Sequence, residues 1–231
     1  MRTLAVDAVL FDLDGTLADT AGDLAGALNR LRRDLGLEPM PLASLRAQAS
    51  SGARGLIGAG LGVLPDAPGY DALRDAFLAH YEACLAETTR LFDGVAELLD
   101  ALEARGMRWG IVTNKAARFT VPVVRALGLD ARAATVVSGD TTPHPKPRPE
   151  PLLHAARELA LPPARCAYVG DDLRDILAGN AAGMLSLVAR WGYLGTGEPP
   201  ERWPAAGGAD VPIELLDWLA QPGINPGMPP R

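Results

Sequence analysis

The chain has 231 residues, 48% hydrophobic and 22% charged, which excludes a disordered chain and fits one large domain or two smaller ones. A formal charge of -6 argues against a nucleic-acid or anionic-membrane surface as the main partner, while leaving room for a local basic pocket. Two cysteines without metal-ligand spacing make a disulfide scaffold or zinc site improbable. The lack of a long apolar run or signal-peptide pattern leads us to expect a soluble cytoplasmic protein.

In chain order, the run Ala8, Val9, Leu10, Phe11 predicts a strand buried on both faces, ending at the acidic turn Asp12-Leu13-Asp14-Gly15. Thr20 and Asp23 resemble a capping box, and Leu24, Leu28, Leu31 and Leu35 follow at helical spacing until Pro39 and Pro41. Helices are expected over 42–48 and 70–85. The intervening Gly52-Ala53-Arg54-Gly55 reads as a substrate-reading loop, or else as the start of a glycine run that only lets helices pack closely. Residues 17–90 therefore form an all-helical block.

From about residue 91 the rhythm alternates. Strands are expected over 109–112, 135–137, 167–169 and 185–188, and helices over 95–105, up to Leu127, 151–159 and 173–182. Alternation of this kind predicts an α/β fold, a Rossmann-like parallel sheet covered on both faces, with the helical block inserted after its first strand. The core then comprises 1–16 and 91–220, and the proline-rich 221–231 a loose tail.

In open parallel sheets functional groups gather at the carboxyl ends of strands. Four such places carry polar residues here: Asp12 and Asp14; Thr113, Asn114 and Lys115; Lys146 before the third core helix; and Asp171, Asp172 and Asp175. Lys115 and Lys146 are the only lysines in the chain, arginine serving everywhere else. Convergence of Asp12, Asp14 and Asp171 would demand a hard cation, and oxygen ligands suit Mg²⁺. One of Asp12 and Asp14 can act as nucleophile while the other handles protons. Thr113 offers a hydroxyl, Lys146 a compact charge, and the backbone where Asn114 opens a helix an anion site. Each group alone has a plainer explanation as a turn, a cap or a solvated loop; their occurrence together and in this order does not.

These four stretches, Phe11 to Leu17, Val112-Thr113-Asn114, Lys146-Pro147 and Gly170-Asp171-Asp172 with Asp175, resemble the four motifs of the haloacid dehalogenase-like superfamily. The inserted helical block matches that superfamily's small cap. The resemblance implies Asp12 as a nucleophile forming an aspartyl-phosphate, and Asp14 as general acid and then base. It also implies Mg²⁺ on Asp12, the Asp14 carbonyl and Asp171 with Asp175 in support, and Thr113 and Lys146 on the phosphoryl group. Within the superfamily the chain is similar to the phosphoglycolate-phosphatase type. It is similar in particular to bacterial N-acetylmuramic acid 6-phosphate phosphatases of cell-wall recycling, through 51–54, 90–94, 109–115 and 170–176.

The implied activity is hydrolysis of a small phosphate ester bearing a carboxylate, by a monomer or homodimer with no nucleic-acid or membrane partner. Substrate-binding candidates are Asn114, Gly52 and Arg54, whose guanidinium could fork onto that carboxylate. His144, near Lys146, is a minor candidate, while His80 is expected at the edge or surface of the helical block. Cap hinges are expected near 17–20 and 90–94. A phosphomutase of the β-phosphoglucomutase type shares the motifs and stays open as an alternative. A phosphoacceptor signalling module fits the insertion poorly, and a metal-free dehalogenase has no use for Asp14 and Asp171.

Overall fold

The apolar runs become strands of one parallel sheet in a computed structural model that describes residues 6–219; the expected tail at 221–231 lies outside the described residues. The chain runs β1 (Ala8–Phe11), β2 (Ala18–Asp19), α1 (Ala21–Asp34), α2 (Leu42–Leu45), α3 (Gly52–Leu61), α4 (Tyr70–Glu82), β3 (Arg90–Leu91) and α5 (Val95–Ala104). It continues through β4 (Arg108–Val112), α6 (Ala117–Ala126), β5 (Val136–Val137), α7 (Glu150–Glu158), β6 (Cys166–Gly170), α8 (Leu173–Ala182), β7 (Leu185–Ala189), β8 (Gly207–Ala209) and α9 (Leu215–Trp218). The sheet order is β5-β4-β1-β6-β7-β8, every pair parallel.

β1 is central, and successive side chains of a strand point to opposite faces. Val9 and Phe11 accordingly join the layer containing Leu98, Leu99 and Leu102 of α5 and Val123 of α6. Ala8 and Leu10 join the layer with Leu152 and Ala155 of α7 and Ala178 of α8. Burial on both faces is why β1 reads as an unbroken apolar run rather than an alternating one. It also places Asp12, the next residue, at the carboxyl end of the middle strand, between the ends of β4 and β6.

The helical insertion leaves and re-enters through a two-stranded ribbon, with Ala18 opposite Leu91 and Asp19 opposite Arg90. Those strands coincide with the two expected hinge segments. Helices α1, α3 and α4 share a core of their own, with Leu28, Leu56, Ile57, Phe77 and Tyr81 almost fully buried; Phe119 and Tyr193 of the sheet domain complete it. Burying each such side chain contributes about 1.5–3 kcal/mol. The helical layer is thus docked on the sheet domain through aromatic contact.

Three local expectations are corrected. Thr20 and Asp23 make no capping box: the Thr20 hydroxyl donates to Asp14 Oδ1 at 2.5 Å, and α1 starts without a side-chain cap. Asp23 is instead buried, accepting from the backbone N–H and hydroxyl of both Thr88 and Thr89, which ties the exit of the helical layer to its entry. The segment Gly52 to Gly55 is not a loop but the first turn of α3, entered from a 3-10 helix over Arg46–Ser51 that replaces the end of the helix expected at 42–48. The glycine run misled because its packing use is real: a methyl on Gly60 would meet Leu28 Cδ2 at 2.5 Å.

Candidate active site

The carboxyl ends of β1, β4 and β6 open into a cavity of about 450 Å³ whose other wall is the helical layer. Asp12, Asp14, Thr113, Asn114, Lys146 and Asp175 line it from the sheet side, and Gly52 and Arg54 line it from α3. The expected site residues therefore converge on one space from segments far apart in the chain. Asp171 lies behind the wall, completely buried.

Asp12, Asp171 and Asp175 each bring a carboxylate oxygen within 4.8 Å of the other two. Burial, together with the Asp175 and Asp14 charges and against the pull of Lys146, raises the Asp12 carboxyl to about 7. Burial and the neighbouring Asp12 and Asp175 raise Asp171 to about 8. Three crowded, dry carboxylates are an expensive arrangement unless a cation shares them, and the all-oxygen donor set fits a hard divalent ion. One Asp171 oxygen accepts from the Thr16 hydroxyl at 2.8 Å; the other accepts from the Ser50 hydroxyl at 2.7 Å and the Tyr193 N–H at 3.1 Å. Gly15 must be glycine for Asp171 to fit: its φ is +88°, and a methyl there would sit 2.2 Å from Asp171 Oδ2.

Lys146 is the hub of the positive charge. Its Nζ lies 2.9 Å from Asp12 Oδ1 and donates to Asp175 Oδ1 at 2.7 Å, Tyr168 Oη at 2.8 Å and the Val112 carbonyl at 3.0 Å. Burial works against its charge, but the two carboxylates outweigh that and raise its pKa. The Asp12 contact lacks hydrogen-bond alignment, so Asp12 Oδ1 makes no hydrogen bond. Asn114 lines the cavity, yet its side chain faces the Lys146 backbone, accepting from the N–H at 2.9 Å and donating to the carbonyl at 3.0 Å. It positions Lys146, leaving only its main chain free toward a ligand. Thr113 is buried, its Oγ1 accepting from the Lys115 N–H.

Lys115 belongs to the cavity wall as well. Its Nζ donates to Asp14 Oδ1 at 2.9 Å and lies 4.8 Å from the centre of the Tyr81 ring of α4. Burial opposes its charge, and Asp14 and Tyr81 together overcome that and raise its pKa. Asp172 and Asp175 form the true capping box of α8: Asp172 accepts from the Arg174 N–H, and Asp175 accepts from the Asp172 N–H. Burial would raise the Asp172 carboxyl, but the Arg174 guanidinium holds it below the usual range.

Several groups had escaped the sequence reading. Arg174 also donates to the Ser50 carbonyl at 2.8 Å, so Ser50 and its neighbours link the helical layer to Asp171 and Asp172. The Tyr193 hydroxyl accepts from the N–H groups of Thr20 and Ala21 and donates to Asp19, clasping the ribbon. Arg118 lines the cavity beside Phe119. Arg174, Arg118 and Ser50 lie within four residues of expected site positions; Tyr193 carries no local signal. His144 is exposed, with only its carbonyl engaged, and is not part of the cavity wall. His80 pairs with Asp34 at 2.7 Å on the surface of the helical layer.

Residues 6–183 match the family model of the haloacid dehalogenase-like hydrolases, and the chain belongs to that family. It is 41% identical over 219 residues to an N-acetylmuramic acid 6-phosphate phosphatase of Pseudomonas aeruginosa, covering 95% of this chain and 97% of the relative. It is 43% identical over 219 residues to a phosphoglycolate phosphatase of Xanthomonas campestris pv. campestris, with the same coverage. Among solved structures, that of a protein described as a predicted phosphoglycolate phosphatase from Haemophilus somnus 129pt superposes with a TM-score of 0.81 at 26% identity, covering 93% of this chain and 98% of that one. The chain is accordingly a phosphatase of the haloacid dehalogenase-like family. Among the described residues no helix is long and apolar enough to cross a membrane.

Proposed function

We propose that the protein is a Mg²⁺-dependent phosphomonoesterase working through an aspartyl-phosphate, on a sugar-sized phosphate ester that carries a carboxylate. The observation behind the mechanism is Asp12: buried in the cavity floor, with one oxygen not hydrogen-bonded, and flanked by Lys146 and a carboxylate cluster suited to a cation. Mg²⁺ held by Asp12, the Asp14 carbonyl and Asp171, with Asp175 in support, would neutralise the phosphoryl oxygens and keep the carboxylates ionised.

Asp12 attacks phosphorus, and its Oδ–P bond forms as the ester P–O bond breaks. Thr113 and the main chain at Asn114 orient the phosphoryl oxygens, and Lys146 offsets their charge. Asp14 delivers the proton to the departing alkoxide. It then accepts one from the water that attacks phosphorus, so that inorganic phosphate leaves and Asp12 is restored. Thr20 and Lys115 both hold Asp14 Oδ1, which fixes the carboxyl for this double role.

Cavity size favours the larger of the two substrate classes suggested by the relatives. About 450 Å³ is the space of about fifteen waters, far more than a two-carbon acid phosphate fills, and ample for an N-acetylmuramic acid 6-phosphate. Arg54, an exposed residue of the cavity lining, supports this reading as a partner for the carboxylate. With Mg²⁺, kcat/KM should be higher for N-acetylmuramic acid 6-phosphate than for 2-phosphoglycolate, with release of free phosphate. Asp12→Asn should abolish turnover while leaving the circular dichroism spectrum unchanged. Turnover surviving in that variant would overturn the mechanism; isomerised sugar phosphate in place of free phosphate would favour a phosphomutase.

A further inference from the structure

One cation of the cavity has no task in this chemistry. On the sheet side Lys146 is taken up by Asp12 and Asp175, Lys115 by Asp14, and Arg174 by Asp172. Arg118, in the first turn of α6, lines the same cavity and forms no salt bridge with any described residue. Its guanidinium carbon lies 4.4 Å from the centre of the Phe119 ring, and that ring packs against Tyr81 with centroids 5.4 Å apart. An aromatic platform of this kind restrains a guanidinium while leaving its N–H edge free, which is the geometry suited to a planar, bidentate anion.

Burial grades the cavity from floor to mouth. Asp12 is 8% exposed, Lys146 3% and Asp175 1%, whereas Arg118 and Arg54 are exposed. A substrate whose phosphoryl group rests on Asp12 must therefore send any second anion toward the two arginines, Arg118 on α6 and Arg54 on α3. We propose that Arg118 is a specificity-determining residue that forks onto the substrate's carboxylate from the sheet-domain side, opposite Arg54 on the helical layer. This rests on the carboxylate-bearing substrate proposed above. It goes further by placing half of the recognition on a residue that stays with the catalytic domain. A substrate lacking the carboxylate would leave both guanidiniums of the cavity lining without that counter-charge.

The test compares wild type, Arg118→Ala and Arg118→Lys with Mg²⁺ on three esters: N-acetylmuramic acid 6-phosphate, N-acetylglucosamine 6-phosphate, which lacks the carboxylate, and glucose 1,6-bisphosphate. The readout is the ratio of kcat/KM for the first ester over the second. A lost charge-assisted pair should lower that ratio about thirtyfold in Arg118→Ala, mostly through KM. Arg118→Lys should recover part of it, since lysine keeps the charge and loses the fork. A ratio in Arg118→Ala within about threefold of wild type, or an equal loss on both esters, would overturn the role assigned to Arg118 while leaving the substrate reading intact. Absence of any preference in wild type would instead remove the substrate reading and this inference together. A wild-type preference for the bisphosphate that Arg118→Ala loses would assign the arginine to a second phosphate and overturn the carboxylate.

Discussion

Replacing Lys146 by methionine keeps an unbranched side chain up to the ε position and removes the charged terminal nitrogen. In the native site the ammonium lies within 3.0 Å of Asp12, Asp175, Tyr168 and the Val112 carbonyl, with its side chain 2% exposed. Removing one partner of a buried ionic cluster costs about 3–5 kcal/mol because the remaining charges are left uncompensated. Protonation limits that cost here. Asp12 already sits at about 7, and without Lys146 it moves higher, so at neutral pH it takes up a proton rather than remain charged. The loss should accordingly be about 3 kcal/mol at pH 8 in chelator and smaller at pH 6. Turnover should fall about 10²–10³-fold, the usual scale for losing a group that stabilises transition-state charge. Urea denaturation with and without Mg²⁺ separates the two effects, because the ion should restore part of the stability and none of the role at the phosphoryl group. A variant destabilised by less than about 1 kcal/mol with turnover near wild type would refute the assignment of Lys146 as the hub.

The metal-free protein should lose stability as pH rises. Asp12 and Asp171 have folded values of about 7 and about 8 against an ordinary 3.8, so between about pH 4 and 8 the folded state binds more protons than the unfolded state, and each proton unbound on ionisation weakens folding. Asp172, shifted downward, acts only below 3.8, and the raised Lys115 and Lys146 only above 10.5, so neither masks the trend. Urea midpoints in chelator should drop between pH 5 and 8, and Mg²⁺ should flatten the drop; a rising midpoint in chelator would contradict the carboxylate cluster. Asp23→Ala should cost about 3 kcal/mol, since it strands the N–H and hydroxyl groups of Thr88 and Thr89. Hydrogen exchange should then quicken in α1 and around Thr88, and protection equal to wild type there would show that the clasp is dispensable.

The strands were legible because burial on both faces writes itself into the chain as short apolar runs, unbroken in Ala8–Phe11 and interrupted only by Ser186 in Leu185–Ala189. The weakest elements were not: β8 is only Gly207–Ala209, and β2 and β3 hold two residues each, so their pairing depends on neighbours rather than on pattern. The Gly52–Leu61 helix escaped because glycine opposes helix formation locally, and only packing such as that of Gly60 on Leu28 makes it worthwhile.

Sequence alone determined five of the six sheet strands, the helical insertion and the identity of the catalytic candidates, since Asp12, Asp14, Thr113, Lys146 and Asp171 each follow a strand or enter a helix in a recognisable order. It also singled out the two lysines without saying what either touches. Tertiary structure decided that Lys146 bridges Asp12 to Asp175 while Lys115 holds Asp14. It decided too that Asn114 supports Lys146 with its side chain, and that Ser50 reaches Asp171 across 121 residues of chain. Periodicity reports which face of an element is buried; it carries no information about which polar groups meet once faces from distant segments are brought together.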